Sequence, residues 1–176
     1  MWVWCYDRDI LTIAAERIGN EELTEDTIND LNYKRNDVAS AGITGVMGMG
    51  NIPIYNQMFL EQAKIIRKLA NYGSAVFLGR CADYILKDIK NCTSVYLYAD
   101  REFRKNRVKE IYGSNAEIMD KEEKNRADYY NYYTGNRWGD INNYDFAINT
   151  SKVSFEEAAD LIYRFAKDKQ KNLKDR

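Results

Sequence analysis

The sequence predicts an α/β fold, a parallel doubly wound sheet with helices on both faces. Three observations carry this. Short apolar runs alternate with stretches of helical periodicity along the chain, and strands separated by helices pair in parallel because each helix returns the chain to the same end of the sheet. The run Ser74 to Leu78 stops on Gly79 and at once presents Arg80, as a strand does when it turns into a helix. The 176 residues, 45% of them hydrophobic, suffice for one globular core and argue against disorder.

Trp2 to Tyr6 is a short aromatic and β-branched run and reads as the first strand. Ile10, Ile13, Ala14 and Ile18 follow at helical spacing, with Gly19 placed to stop the helix. Leu23 to Asp37 reads as a second short helix beginning near Thr24. Asn36 to Pro53 is a loop holding Gly42, Gly45, Gly48, Gly50 and the only proline, and is the best hinge candidate. Tyr55, Met58, Phe59, Gln62, Ile65, Ile66, Leu69 and Tyr72 then give the clearest amphipathic helix, closed by Gly73. After the strand ending at Leu78 come a short helix near Asp83 to Lys87 and a strand at Thr93 to Tyr98. Helices follow at Arg101 to Tyr112 and from about Ala116 to Tyr132, then a last strand at Tyr144 to Asn149. Ser154 with Glu157 forms a capping-box signature for a final helix to about Lys169, beyond which the basic tail is expected to fray. No internal repeat or low-complexity segment is found.

Charge and composition exclude several chemistries. The formal charge of −1 offers no general pull toward nucleic acid or an acidic membrane, so any anion site must be built locally. Histidine is absent, which excludes Ser-His and Cys-His hydrolases and removes the commonest metal ligand; no metal site is expected. Cys5, Cys81 and Cys92 are odd in number and widely spaced, giving neither a disulfide framework nor a zinc site and fitting a reducing cytoplasm. No apolar run is long enough for a membrane span and no signal segment opens the chain. Phosphoryl transfer survives these filters, since it rests on positioning and on cations around the transferring group. At the carboxyl end of a sheet strand, where ligands sit in open α/β folds, Arg80 reads either as an anion hook whose planar fork matches phosphate or as a surface arginine at a turn.

With Gly79-Arg80 after a strand, then Tyr98-Ala99-Asp100-Arg101-Glu102-Phe103-Arg104-Lys105-Asn106-Arg107, then Lys124 to Gly135, Trp138-Gly139-Asp140, Asn143-Tyr144-Asp145 and Ile148-Asn149-Thr150-Ser151, the chain resembles the cytidylate kinase-like family. The likeness covers nearly everything from Tyr6 to Phe165, and the stretch Lys124 to Asp140 is its most particular part. These are P-loop nucleoside monophosphate kinases, which move the terminal phosphoryl group of ATP to a nucleotide monophosphate. The resemblance implies a single domain over residues 1–176, with a lid-like helical segment at about 113–140, and implies ATP and Mg²⁺. It gives Asp7 and Arg80 to the acceptor site, with Arg80 holding the acceptor phosphate. Arg104 falls to ATP binding. Arg107, Lys124 and Arg126 are the catalytic candidates, the last two as lid cations over the transferring group. Two positions apart on a helix, Lys124 and Arg126 cannot both point the same way.

The chain departs from the family pattern twice. Cytidylate kinases carry an aspartate directly after Gly-Arg; Cys81 stands there instead, and Asp83, two positions on, is carried as the candidate substrate-binding residue, with cytosine preference open. Members also open with a strand, a glycine-rich phosphate loop and a helix, which this sequence lacks. Gly45 to Ile52 has the two outer glycines of GxxxxGK[ST], but Asn51 and Ile52 replace its Lys and Ser or Thr, so it reads as a connector. In these kinases the missing strand is central, and its loss leaves strands about 9 to 10 Å apart, twice the pairing distance. The sheet then re-pairs, another chain fills the gap, or the protein starts about 30 residues upstream, a βαβ unit's length, which is the expectation favoured here.

The expected function is therefore a nucleoside monophosphate kinase-like phosphotransferase, ATP to CMP or a related acceptor, with acceptor site and lid present and the donor loop outside the sequence. Two alternatives stand beside it. One is a catalytically inactive relic that binds a nucleotide or partner. The other is a single-stranded nucleic-acid binder, for which Tyr129, Tyr130, Tyr132 and Tyr133 would be stacking platforms rather than core. Between Arg101 and Trp138 nine Lys or Arg stand against seven Asp or Glu, a net of +2, which is small for that role. A small-molecule nucleotide partner is expected, without nucleic acid or membrane, and a homo-oligomer covering strand edges stays open.

Overall fold

The computed structural model describes residues 3–7, 9–19, 54–113 and 116–174. The helix expected at Leu23 to Asp37, the hinge loop Asn36 to Pro53 and Trp2 lie outside the described residues. The chain forms a mixed helix and strand α/β structure in two compact units, Met1–Leu86 and Lys87–Arg176.

In the first unit, β1 (Trp4–Tyr6) leads into α1 (Asp9–Ile18), and α2 (Ile54–Tyr72) leads into β2 (Ala75–Phe77) and the single turn α3 (Ala82–Ile85). Strands β1 and β2 are parallel, in the register Trp4↔Ala75, Cys5↔Val76, Tyr6↔Phe77. The ladder runs one bond further, from Leu78 N–H to the Tyr6 carbonyl at 2.9 Å, and the Tyr6 and Phe77 rings stack at 5.5 Å. The core is the α1–α2 seam, where Ile10, Leu11, Ala14 and Ala15 are buried, as are Met58, Ala63, Ile65 and Ile66. The α1 stripe is thus centred on Leu11 and Ala15 as well as Ile10 and Ala14, and the expected Ile13 and Ile18 are only half-buried. Tyr72, expected on the apolar face of α2, is 77% exposed, because it ends the helix beyond the packed turns, with the Lys68 ammonium 5.9 Å from its ring. The turn expected at Asp83 to Lys87 begins and ends earlier, since the chain after Arg80 starts its hydrogen bonding at once, Ile85 N–H donating to the Cys81 carbonyl.

In the second unit β3 (Val95–Tyr98), α4 (Arg101–Tyr112), α5 (Ala116–Thr134), a 3₁₀ turn (Ile141–Asn143), β4 (Phe146–Asn149) and α6 (Phe155–Lys174) follow in order. Strands β3 and β4 are parallel, Val95↔Phe146 through Tyr98↔Asn149. Asp145 ties their start to α6, accepting from Ser94 N–H at 2.9 Å, Ser94 Oγ at 3.1 Å and Lys169 Nζ at 2.7 Å. The capping box forms in both directions, Ser154 N–H to Glu157 Oε2 at 2.8 Å and Glu157 N–H to Ser154 Oγ at 3.1 Å. Helix α6 does not fray at Lys169 but runs to Lys174. Lys169 anchors it on the Cys92 carbonyl and Asp145, and Lys171 and Lys174 favour the negative end of its dipole.

The described strands therefore form two two-stranded parallel sheets. Strand and helix alternation specifies parallel pairing inside each unit but does not say which strand edges join. No helix among the described residues is long and apolar enough to cross a membrane.

Candidate functional site

Asp7 follows β1 and Arg80 follows β2, so the parallel pairing carries both to the same, carboxyl, end of that sheet. Gly79, Arg80 and Cys81 are three successive residues in the left-handed region, at φ 67, 58 and 55°. Glycine adopts it freely, but for Arg80 and Cys81 it costs about 1–2 kcal/mol each. The turn closes with Ala82 N–H on the Gly79 carbonyl at 3.0 Å. It folds the Arg80 side chain down to 7% exposure, with Nη2 3.8 Å from Asp7 Oδ1. That is an ion pair too long for a hydrogen bond, so Asp7 fixes the guanidinium's position without using up its fork of donors.

Asp83 is half-buried on α3 and within electrostatic reach of the same turn. Burial, then the Asp83 charge, push the Cys81 thiol up to about 12, against the opposing pull of Arg80. Cys81 is thus a neutral, 4% exposed thiol, and its place after Gly79-Arg80 is one of packing.

The other four candidates lie in the second unit. Arg104 Nη1 donates to Glu123 Oε2 at 3.2 Å, and Arg126 Nη1 lies 3.6 Å from the same oxygen. Arg107, one turn along α4 from Arg104, places its guanidinium 4.3 Å from the Phe155 ring centre. Lys124 is exposed, about 200° around α5 from Arg126 and outside this group. Arg104 and Arg107 also line a cavity of about 390 Å³ with Leu97, Tyr98, Phe155 and Ile162, an apolar slot with two cations on its wall. Beside it is an aromatic cluster in which Tyr96 stacks on Tyr144 at 5.0 Å and Trp138 meets both Tyr96 and Tyr130 edge-on. Gly139 passes so close that a Cβ there would lie 3.4 Å from the Tyr96 hydroxyl. Of the four tyrosines on α5, Tyr130 is buried in this cluster and Tyr132 is 48% exposed. Among the described residues no three Cys, Asp or Glu side chains gather in a way that could hold a metal ion.

Sequence reasoning missed Glu123 and Phe155. Glu123 had a signal, its place three residues before Arg126 on one helix face; Phe155 had none beyond its place directly after the Ser154 cap.

A nearly buried Arg80 in one unit and, in the other, a half-buried Arg104 with an exposed Arg107 at an apolar slot are guanidinium groups of the kind that suit anions, set in a parallel α/β protein. Residues 1–152 match the cytidylate kinase-like family, and the chain belongs to it. No curated protein matches the chain. Among solved structures, a crystal structure of an uncharacterized protein from Eubacterium ventriosum ATCC 27560 is similar, with 28% identity and a TM-score of 0.68 over 94% of this chain and 84% of that one.

Proposed function

We propose that this protein is a nucleoside monophosphate kinase-like phosphotransferase acting from ATP to CMP or a related acceptor. Residues 1–176 act as one kinase-like domain of the doubly wound type, with residues 113–140 as its lid. Asp7, Arg80 and Asp83 receive the acceptor. Arg104 and Arg107 take the donor nucleotide, its base entering the apolar slot against Phe155. Arg126 supplies positive charge to the transferring group, and Lys124, on the opposite side of α5, does not join it. In the reaction an acceptor phosphate oxygen forms a bond to the terminal phosphorus of ATP as the bond from that phosphorus to its bridging oxygen breaks, and ADP leaves. ATP brings the transferable group; the protein's part is to orient both anions, exclude water and offset charge.

The single observation that carries this reading is Arg80, a guanidinium with a nearly buried side chain, held at the strand ends by a strained turn and met, among the described residues, by one distant carboxylate. Strain of this kind persists where the surroundings require a particular geometry. The test is phosphoryl transfer from ATP with Mg²⁺ to CMP, UMP and AMP in turn, followed as ADP formation. Acceptor-dependent ADP supports the proposal, and its absence with all three removes the phosphotransferase reading.

A second reading is binding without transfer, in which the acceptor site around Arg80 is kept and ATP is not bound. Separate titrations divide the two. A relic binds CMP but not ATP with Mg²⁺; the kinase binds both.

A further inference from the structure

We infer that Glu123 is a positioning residue that gathers Arg104 and Arg126 around one point, setting them to receive a phosphate-chain anion. The inference deepens the proposed function and rests on its assignment of Arg104 and Arg126 to the donor and lid.

Glu123 stands on α5, yet its carboxylate serves three separate elements. Oε2 is shared by Arg104 of α4 at 3.2 Å and Arg126 of α5 at 3.6 Å. Oε1 accepts from the indole Nε1 of Trp138, in the segment after α5, at 3.4 Å. One shared oxygen keeps two like charges within about 7 Å of each other, where they would otherwise repel. Phosphate chains are bound by such convergent guanidinium pairs, and convergence prepared before binding spares the ligand the work of ordering long side chains.

Two further observations fit a role beyond joining helices. The α4–α5 pair already has an ion pair of its own, Arg101 with Asp120. Arg104 Nε is buried and meets no acceptor among the described residues, so Glu123 leaves this arginine with a donor in reserve beside the cavity that Arg104 lines. The Glu123 charge also reaches Tyr96, whose hydroxyl is pushed up by burial and then by Glu123, against the pull of Arg104. The carboxylate, the arginine and the aromatic cluster therefore form one electrostatic group.

The test uses the full chain with Trp2 and Trp4 replaced by phenylalanine, so that Trp138 alone reports, and inorganic tripolyphosphate as the probe. Glu123→Gln keeps a side-chain acceptor for the indole and removes the charge; it is expected to shift Trp138 emission and weaken tripolyphosphate about three- to tenfold. Glu123→Asp, which keeps the charge and guards against misfolding of the Gln variant, is expected to recover part of the affinity. Asp120→Asn, which removes only the structural bridge, is expected to leave affinity unchanged. The inference is overturned if Glu123→Gln binds tripolyphosphate as tightly as the parent or more tightly while Arg126→Ala binds it weakly, for then Glu123 does not prepare the arginines. It is also overturned if Asp120→Asn weakens binding as much as Glu123→Gln, since helix packing alone then accounts for the loss. Failure of the parent chain to bind tripolyphosphate at all is a different result, and overturns the donor and lid assignment together with the inference.

Discussion

Replacing Arg80 with alanine separates anion recognition from stability, because the structure assigns the two effects very different sizes. The only ion-pair partner described for this guanidinium is Asp7, at 3.8 Å and 54% exposed. Removing one member of a buried ion pair is costly when the other is left uncompensated out of water. Asp7 is not in that position, so Arg80→Ala should change folding stability by only about 1 kcal/mol. Acceptor binding should suffer far more. Two charge-assisted hydrogen bonds from a guanidinium fork to phosphate contribute about 2–4 kcal/mol together, roughly 30- to 1,000-fold in Kd. Arg80→Gly sharpens the contrast. It loses the same fork but relieves the left-handed strain at φ 58°, so it should unfold at a higher temperature than Arg80→Ala while binding no better. The assays are calorimetric titration of CMP and thermal unfolding followed by circular dichroism. A folded Arg80→Ala that binds CMP within threefold of the parent would refute the acceptor assignment. Arg80→Ala that fails to fold while Arg80→Gly folds would show that the strain estimate, and not the site, was wrong.

Three other expectations can be checked independently. Burial raises the Asp145 carboxyl, but the hydrogen bonds from Lys169 and Ser94 outweigh it and hold it below the ordinary aspartate value. Its stabilising contribution is therefore complete above pH 4 and is lost as pH falls through the lowered value. Asp145→Asn should cost about 1–2 kcal/mol at neutral pH after allowance for partial exposure, with the difference from the parent shrinking in acid; urea melts at pH 7 and pH 3 decide it. Cys81, with its thiol pushed up to about 12, should resist iodoacetamide at pH 8 in the native protein while the exposed Cys5 reacts, as peptide mass mapping would show. Phe155→Ala removes the ring beneath Arg107 and one wall of the slot, so ATP binding should weaken about two- to fivefold with CMP binding unchanged; equal loss for both nucleotides would remove the slot from the donor side.

What could be read from the sequence depended on how local the cause was. Helix α4 and the capping box of α6 were legible because periodicity and the Ser154–Glu157 spacing act within a few residues. The extension of α6 to Lys174 was not, since its anchor is Asp145 and the Cys92 carbonyl, 24 and 77 residues from Lys169. The same distinction divides the candidate residues. Gly79 announced a turn, but nothing local announces that Arg80 and Cys81 follow it into the left-handed region, because neither residue type favours it. On α5 the charges of Glu122, Glu123, Lys124 and Arg126 look alike in sequence, a solvated helix face with mixed sign. Only the approach of α4 and of Trp138 singles out Glu123, and the helical offset that turns Lys124 away leaves Arg126 with it. An arginine therefore signals where an anion could be bound, while the carboxylate that holds it in place becomes visible only once the helices are packed.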